Sequence, residues 1–222
     1  MGKGSFISPE QRSGIRAKVE PIALAMSRAG LTPNMLTIIG FVIASVGGAL
    51  AAVEWWLLAG IVATAGAGFD MFDGAVARAT GQVSKRGAFM DSVFDRWGEG
   101  VVYVGILIGA TQAGFDPGAW LAGAALVSAF MVSYTRAKSE SLGFSSGTGM
   151  AAVGFAPREV RTVILGIALV GAGIFGVTSE IGDLGTLILA LGLGIIAVLA
   201  TITVIQRIRF VLSQPPNPEE GS

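Results

Sequence analysis

Four aspartates carry most of the chemistry available to this chain of 222 residues. Asp70 and Asp73 are three apart and Asp91 and Asp95 four apart, so on helices each pair shares one face. Both pairs sit at the edges of long apolar runs, where an ionised carboxylate without a partner costs several kcal/mol. They therefore need cations, protonation, or water and arginine neighbours. The chain contains no histidine and no cysteine, which removes His-ligated zinc, the Ser-His-Asp triad, a His general base and any thiolate nucleophile. What remains is a set of hard oxygen donors. Such donors select Mg²⁺, Mn²⁺ or Ca²⁺ over zinc, so Asp70, Asp73, Asp91 and Asp95 form a candidate metal site. Mg²⁺ keeps places open for phosphate oxygens, and two such ions can clamp a phosphoryl group during displacement. Gly74 and Ala77 leave room for a bulky ligand against the backbone. Arg78, two turns beyond Asp70, returns to that face with a guanidinium suited to phosphate.

The elements that must position these acids are helices in a membrane. The chain is 52% hydrophobic and 14% charged, with mean hydropathy +0.70, beyond the usual balance of a water-soluble domain. Apolar runs of spanning length fall at about 34–53, 55–79, 88–112, 118–141, 160–179 and 184–206. The expected fold is all-α: an integral membrane bundle of six transmembrane helices. The 33 glycines suit close helix packing, and Gly105 and Gly109 form a GxxxG in the third span. That face serves either contact within the bundle or a homodimer. Between the second and third spans, Arg78 to Gly87 reads as a hairpin loop that brings the two acid pairs face to face.

Charge supplies the orientation. Fifteen Lys and Arg balance fifteen Asp and Glu, which excludes the basic excess of a general nucleic-acid binder. By position the balance is uneven. Every Lys and Arg falls at one side of the six spans, while the opposite connections hold Glu54, Asp116, Glu180 and Asp183. The positive-inside rule then places both termini, and the acid cluster, on the cytoplasmic side of the membrane. Before the first span, Ser8-Pro9-Glu10-Gln11 reads as a helix start. Ile15, Val19, Ile22 and Met26 follow at helical spacing opposite Arg12, Arg16 and Lys18, until Gly30 and Pro33 stop the pattern. Residues 1–30 are thus expected to form an amphipathic interfacial segment, 31–211 the bundle, and 212–222 a disordered tail.

The acids also carry a family resemblance. Asp70-x2-Asp73-Gly74-x2-Ala77-Arg78-x8-Gly87-x3-Asp91-x3-Asp95 resembles, without a departure, the signature of the CDP-alcohol phosphotransferases. The resemblance implies transfer of a phosphatidyl-type group from a CDP-linked lipid, CDP-diacylglycerol or CDP-archaeol, to an alcohol with release of CMP, using two divalent cations, Mg or Mn. It implies Asp70, Asp73 and Asp91 as metal ligands and Asp95 as a metal-proximal catalytic base. Gly74, Ala77, Arg78 and Gly87 would line the CDP moiety. Arg96 and Glu99, next in the third span, read either as a structural ion pair or as ligand contacts.

The acceptor must be read from other residues. Arg136 and Lys138 end the fourth span, and Arg158 and Arg161 begin the fifth after a Gly/Ser-rich loop, Gly143 to Gly154. Four cations facing the carboxylates would suit a small alcohol that carries its own phosphate; the same four also satisfy the positive-inside rule by touching lipid headgroups. Ser133-Tyr-Thr-Arg136-Ala-Lys138-Ser-Glu140 is similar to the S-Y-x-[KR]-A-[KR]-x-E stretch of prokaryotic phosphatidylinositol phosphate and archaetidylinositol phosphate synthases. Arg158-Glu-Val-Arg161 only loosely follows their next element. The resemblance implies inositol 1-phosphate as acceptor, with glycerol 3-phosphate as the alternative and phosphate-free serine less favoured. A divalent-cation transporter is the alternative of another class, although it would need acids distributed through the membrane depth.

Overall fold

Thr32 begins the first long helix in the way its sequence requires. Its side chain accepts the Met35 N–H at 3.3 Å, and Pro33 occupies the first turn, where a missing N–H costs nothing. In the computed structural model of the protein, residues 21–144 and 153–214 are described, apart from the side chains of Asp70 and Met71. A helical stretch over 21–28 (α1) ends at Gly30, whose φ of +86° suits glycine. Seven helices follow: α2 (Pro33–Ala52), α3 (Trp56–Gly68), α4 (Asp70–Ala79), α5 (Lys85–Gln112), α6 (Asp116–Ser141), α7 (Arg158–Phe175) and α8 (Leu184–Leu212). No strand occurs among the described residues. The expected amphipathic positions before residue 21, most of the Gly143–Gly154 loop and the tail beyond Gln214 lie outside the described residues.

The helices close into a ring. α2 packs on α3 and α5, α3 on α7, α7 on α8, α8 on α6, and α6 on α5. Small residues face inward, including Ala51, Ala59, Ala122, Ala125, Ala129, Ala168 and Ala172. Large apolar side chains such as Val42, Leu58, Ile61, Val127, Ile167, Leu191 and Val198 face outward. A bundle in water would reverse the outer face, so this surface matches lipid. Four stretches are long and apolar enough to cross a membrane: Pro33–Ala52, Trp56–Ala79, Asp116–Ser141 and Leu184–Leu212. The GxxxG is occupied within the chain: a Cβ at Gly105 would strike the Gly48 carbonyl, and one at Gly109 the Ala51 carbonyl. These glycines let α5 lie against α2, so their face is not available to a second copy.

Two departures from the expected spans shape the site. The second run is divided near its end. A turn at Phe69, where Phe69 N–H bonds Gly66 O and Phe72 N–H bonds Phe69 O, separates α3 from α4. α3 packs mainly on α2 and α7, while α4 packs mainly on α2. The hairpin loop is also shorter than expected, because Ser84 caps α5 by accepting the Gly87 N–H at 3.0 Å. Gly87 therefore lies in the first turn of α5, and the reversal occurs around Gly81 at φ +68°. At the back of α4, Val76 is buried with Ala23 of α1 and Leu36 of α2. The ends of α4, α6 and α8 meet the starts of α2, α5 and α7 at one end of the bundle, the end that holds the signature and the described Lys and Arg.

Candidate active site

Asp73 is buried on the first turns of α4, and Thr37 of α2 donates its hydroxyl to Asp73 Oδ2 at 2.7 Å. Gly74 gives Arg78 room: a Cβ there would come within 3.1 Å of Arg78 Nη1, so the guanidinium folds back over the bare backbone. Ala77 and Arg78 follow on α4, and Gly87 and Asp91 face them from α5. Together with Thr32, Asn34 and Thr37 they line a cavity of about 550 Å³. All the signature residues except Asp70 and Asp95 meet there; the side chain of Asp70 lies outside the described residues.

A second cavity, of about 870 Å³, opens on the other side of Asp91. Asp95 stands at its edge, with Oδ2 2.7 Å from Arg158 Nη1 and 3.0 Å from Arg96 Nη1. Arg96 is in turn tied to α6, its Nε donating to Ser133 Oγ at 3.1 Å. Of the four expected acceptor cations, Arg136, Arg158 and Arg161 line this cavity, whereas Lys138 is exposed and is not part of its wall. Arg161 is also less available than its sequence position suggested. It is 1% exposed and makes a two-point ion pair with Glu99, Nε to Oε1 and Nη2 to Oε2 both at 2.8 Å, while Nη1 donates to Ala156 O. Glu99 is thus a structural partner, the first of its two sequence readings, and Arg96 joins Asp95 to α6. Arg136 is held near the surface by Glu140 at 2.9 Å.

The donor set fits hard divalent cations, since Asp73 and Asp91 present only carboxylate oxygens to a shared cavity. Among the residues whose side chains are described, no three acids gather as a metal-binding group, and Asp70 is the signature acid outside that set. A family model described as CDP-alcohol phosphatidyltransferase matches residues 30–205. The chain belongs to this family.

Within the CDP-alcohol phosphatidyltransferases, the chain is 36% identical over 202 residues to an archaetidylinositol phosphate synthase of Pyrococcus horikoshii, covering 89% of this chain and 92% of the relative. Its fold is similar to that of a phosphatidylinositol phosphate synthase of Mycobacterium tuberculosis solved with CDP-DAG bound: TM-score 0.74, 32% identity, 89% of this chain and 94% of that one. The same Mycobacterium enzyme solved with manganese and citrate matches with TM-score 0.74 at 29% identity, covering 89% and 90%. This chain is accordingly a membrane transferase of phospholipid synthesis. Two residues of its site had no signal in the sequence reading. Thr37 looks like one more polar residue at a span start, and Arg207 like a topology charge, yet Thr37 orients Asp73 and Arg207 lines the larger cavity.

Proposed function

We propose that this enzyme transfers a phosphatidyl-type group from CDP-diacylglycerol or CDP-archaeol to an inositol phosphate, releasing CMP. One observation carries the reading: Asp91 lines both cavities, with the signature residues on one side and the arginines on the other. Donor and acceptor can then meet at a shared wall of carboxylates. In this reading all six helices of the ring span the membrane, α3 and α4 counting as one. α5 and α7 are 28 and 18 residues long, sufficient to cross, and their charges gather at the end that holds the site. Both termini and the site face the cytoplasm.

Gly74, Ala77, Arg78 and Gly87 bind the CDP moiety. Asp70, Asp73, Asp91 and Asp95 fit as holders of two divalent cations, Mg or Mn, which when bound supply the positive charge that phosphate oxygens require. Asp95 takes the proton of the acceptor hydroxyl as that oxygen bonds to the lipid-side phosphorus. The bond from this phosphorus to the bridging oxygen breaks, and CMP leaves with the electron pair. Arg96 and Arg158 hold the Asp95 carboxylate at the edge of the acceptor cavity. Arg136, Arg158 and Arg161 give that cavity the charge for an acceptor bearing its own phosphate. The names of the relatives favour inositol phosphate over glycerol 3-phosphate.

The test is CMP release from each CDP-lipid by purified protein with Mg²⁺ or Mn²⁺, across inositol 1-phosphate, glycerol 3-phosphate, serine and free inositol. Inositol 1-phosphate should give the largest kcat/KM. A phosphate-free acceptor as the best substrate would refute the role given to the arginines.

A further inference from the structure

The short segment 153–156 enters α7 under unusually tight control from other helices. Thr203, fully buried in α8, accepts the N–H groups of both Phe155 and Ala156 at 3.1 Å, while its own hydroxyl proton goes to Leu199 O at 2.8 Å. A hydroxyl has one proton and two lone pairs, and here all three are directed. One turn further along α8, Arg207 Nε donates to Val153 O at 3.0 Å and its Nη1 to Val132 O of α6. From α7 itself, Arg161 Nη1 holds Ala156 O. Gly154 makes the close approach possible. It sits at φ +114°, and a Cβ there would run into the Thr203 side chain. Ala156, the last residue of the segment, is buried with Val132 and Ala200.

Pro157 follows directly as the cap of α7, and Arg158 is the first residue of that helix. We propose that Thr203, with Arg207, is a positioning residue for the acceptor: the clasp on 153–156 sets where α7 begins and so where Arg158 meets Asp95 and the acceptor's phosphate. The inference rests on the acceptor reading of the larger cavity. Thr203 acts through Arg158, since it is not part of the cavity wall. Arg207 is part of that wall, and among the described residues it has backbone carbonyls but no ion-pair partner.

Thr203→Val keeps the shape and removes the lone pairs, leaving two N–H groups without their acceptor; Thr203→Ser keeps both bonds. With CDP-lipid and inositol phosphate varied separately, Thr203→Val should raise the acceptor KM about tenfold, change kcat less than about threefold, and leave the donor KM unchanged. Thr203→Ser should restore the acceptor KM. Gly154→Ala attacks the same contact from the other side and should reproduce the Thr203→Val pattern. Donor and acceptor KM rising together, or no rescue by Thr203→Ser, would overturn the positioning role. Arg158→Gln separates the two ideas. If it raises acceptor KM while Thr203→Val and Gly154→Ala do nothing, the clasp alone fails; if Arg158→Gln leaves acceptor KM unchanged, the acceptor reading itself fails.

Discussion

The cavity behind Asp73 and the cavity behind Asp95 share Asp91 but are assembled by different means. The first is local: α4, the turn at Gly81 and the start of α5 supply Asp73, Gly74, Ala77, Arg78, Gly87 and Asp91 within one hairpin, and α2 adds a lid of Thr32, Asn34 and Thr37. The second draws its arginines from four helices, Arg96 on α5, Arg136 on α6, Arg158 and Arg161 on α7, and Arg207 on α8. A local site can be written as a spaced motif because one helical turn fixes each neighbour. A site gathered from four helices depends on long-range pairs, here Glu99 with Arg161, Asp95 with Arg158 and Thr203 with the 153–156 backbone. In the proposed reading, the donor half rests on local geometry and the acceptor half on packing between helices.

The largest effect expected from this division is at Asp95. Asp95→Asn removes the proton acceptor while leaving the first cavity intact, so kcat should fall by about a hundred- to ten-thousandfold with CDP-lipid binding retained. Near-normal turnover would remove Asp95 from the base role, and lost donor binding would merge the two cavities into one functional unit. Next comes the long-range support. Glu99 and Arg161 are 8% and 1% exposed, and Glu99→Gln leaves a guanidinium buried without its counter-charge. A loss of about 3–5 kcal/mol is expected, read as a lower unfolding temperature in detergent; an unchanged temperature would show that the pair does not hold the acceptor side together.

The unequal construction also explains what could be read in the sequence. The membrane helices and their order follow from hydropathy, and α2, α6 and α8 begin within about two residues of the expected positions, with Pro33 and Pro117 in the first turns of α2 and α6. The division at Phe69 left no trace, since Gly66, Ala67 and Gly68 are as apolar as their surroundings. The signature residues were legible because their spacing is fixed along one hairpin. The anchoring role of Arg161 was not, because Glu99 is 62 residues away. Lys138 shares a helix with Arg136, yet its exposed position lies off the cavity wall. Gly105 and Gly109 announced close packing without naming the partner, which is α2.

A matched pair of substitutions sharpens the comparison further. Arg78 lies over Gly74 in the first cavity, and Arg158 meets Asp95 in the second. Arg78→Gln should raise the KM for CDP-lipid roughly ten- to a hundredfold, the range for losing a charge-assisted bond, and leave the acceptor KM in place. Arg158→Gln should do the reverse. Steady-state kinetics with each substrate varied at saturating concentrations of the other will read both. If either variant moves both constants equally, the wall at Asp91 does not divide donor from acceptor.

The smallest expected effect on saturated turnover is at Thr37, where the local cavity borrows a hydrogen bond from α2. Its hydroxyl, 2.7 Å from Asp73 Oδ2, helps orient a carboxylate of the proposed cation site. Thr37→Val keeps the volume but removes this bond from Asp73, so the Mg²⁺ concentration for half-maximal activity should rise about tenfold. At saturating Mg²⁺, kcat should change less than about threefold, because the carboxylate itself remains. Thr37→Ser should behave as the parent. A rise in acceptor KM in Thr37→Val, with the metal requirement unchanged, would mean that Asp73 communicates with the arginine side through Asp91, and the two cavities would then have to be treated as a single site.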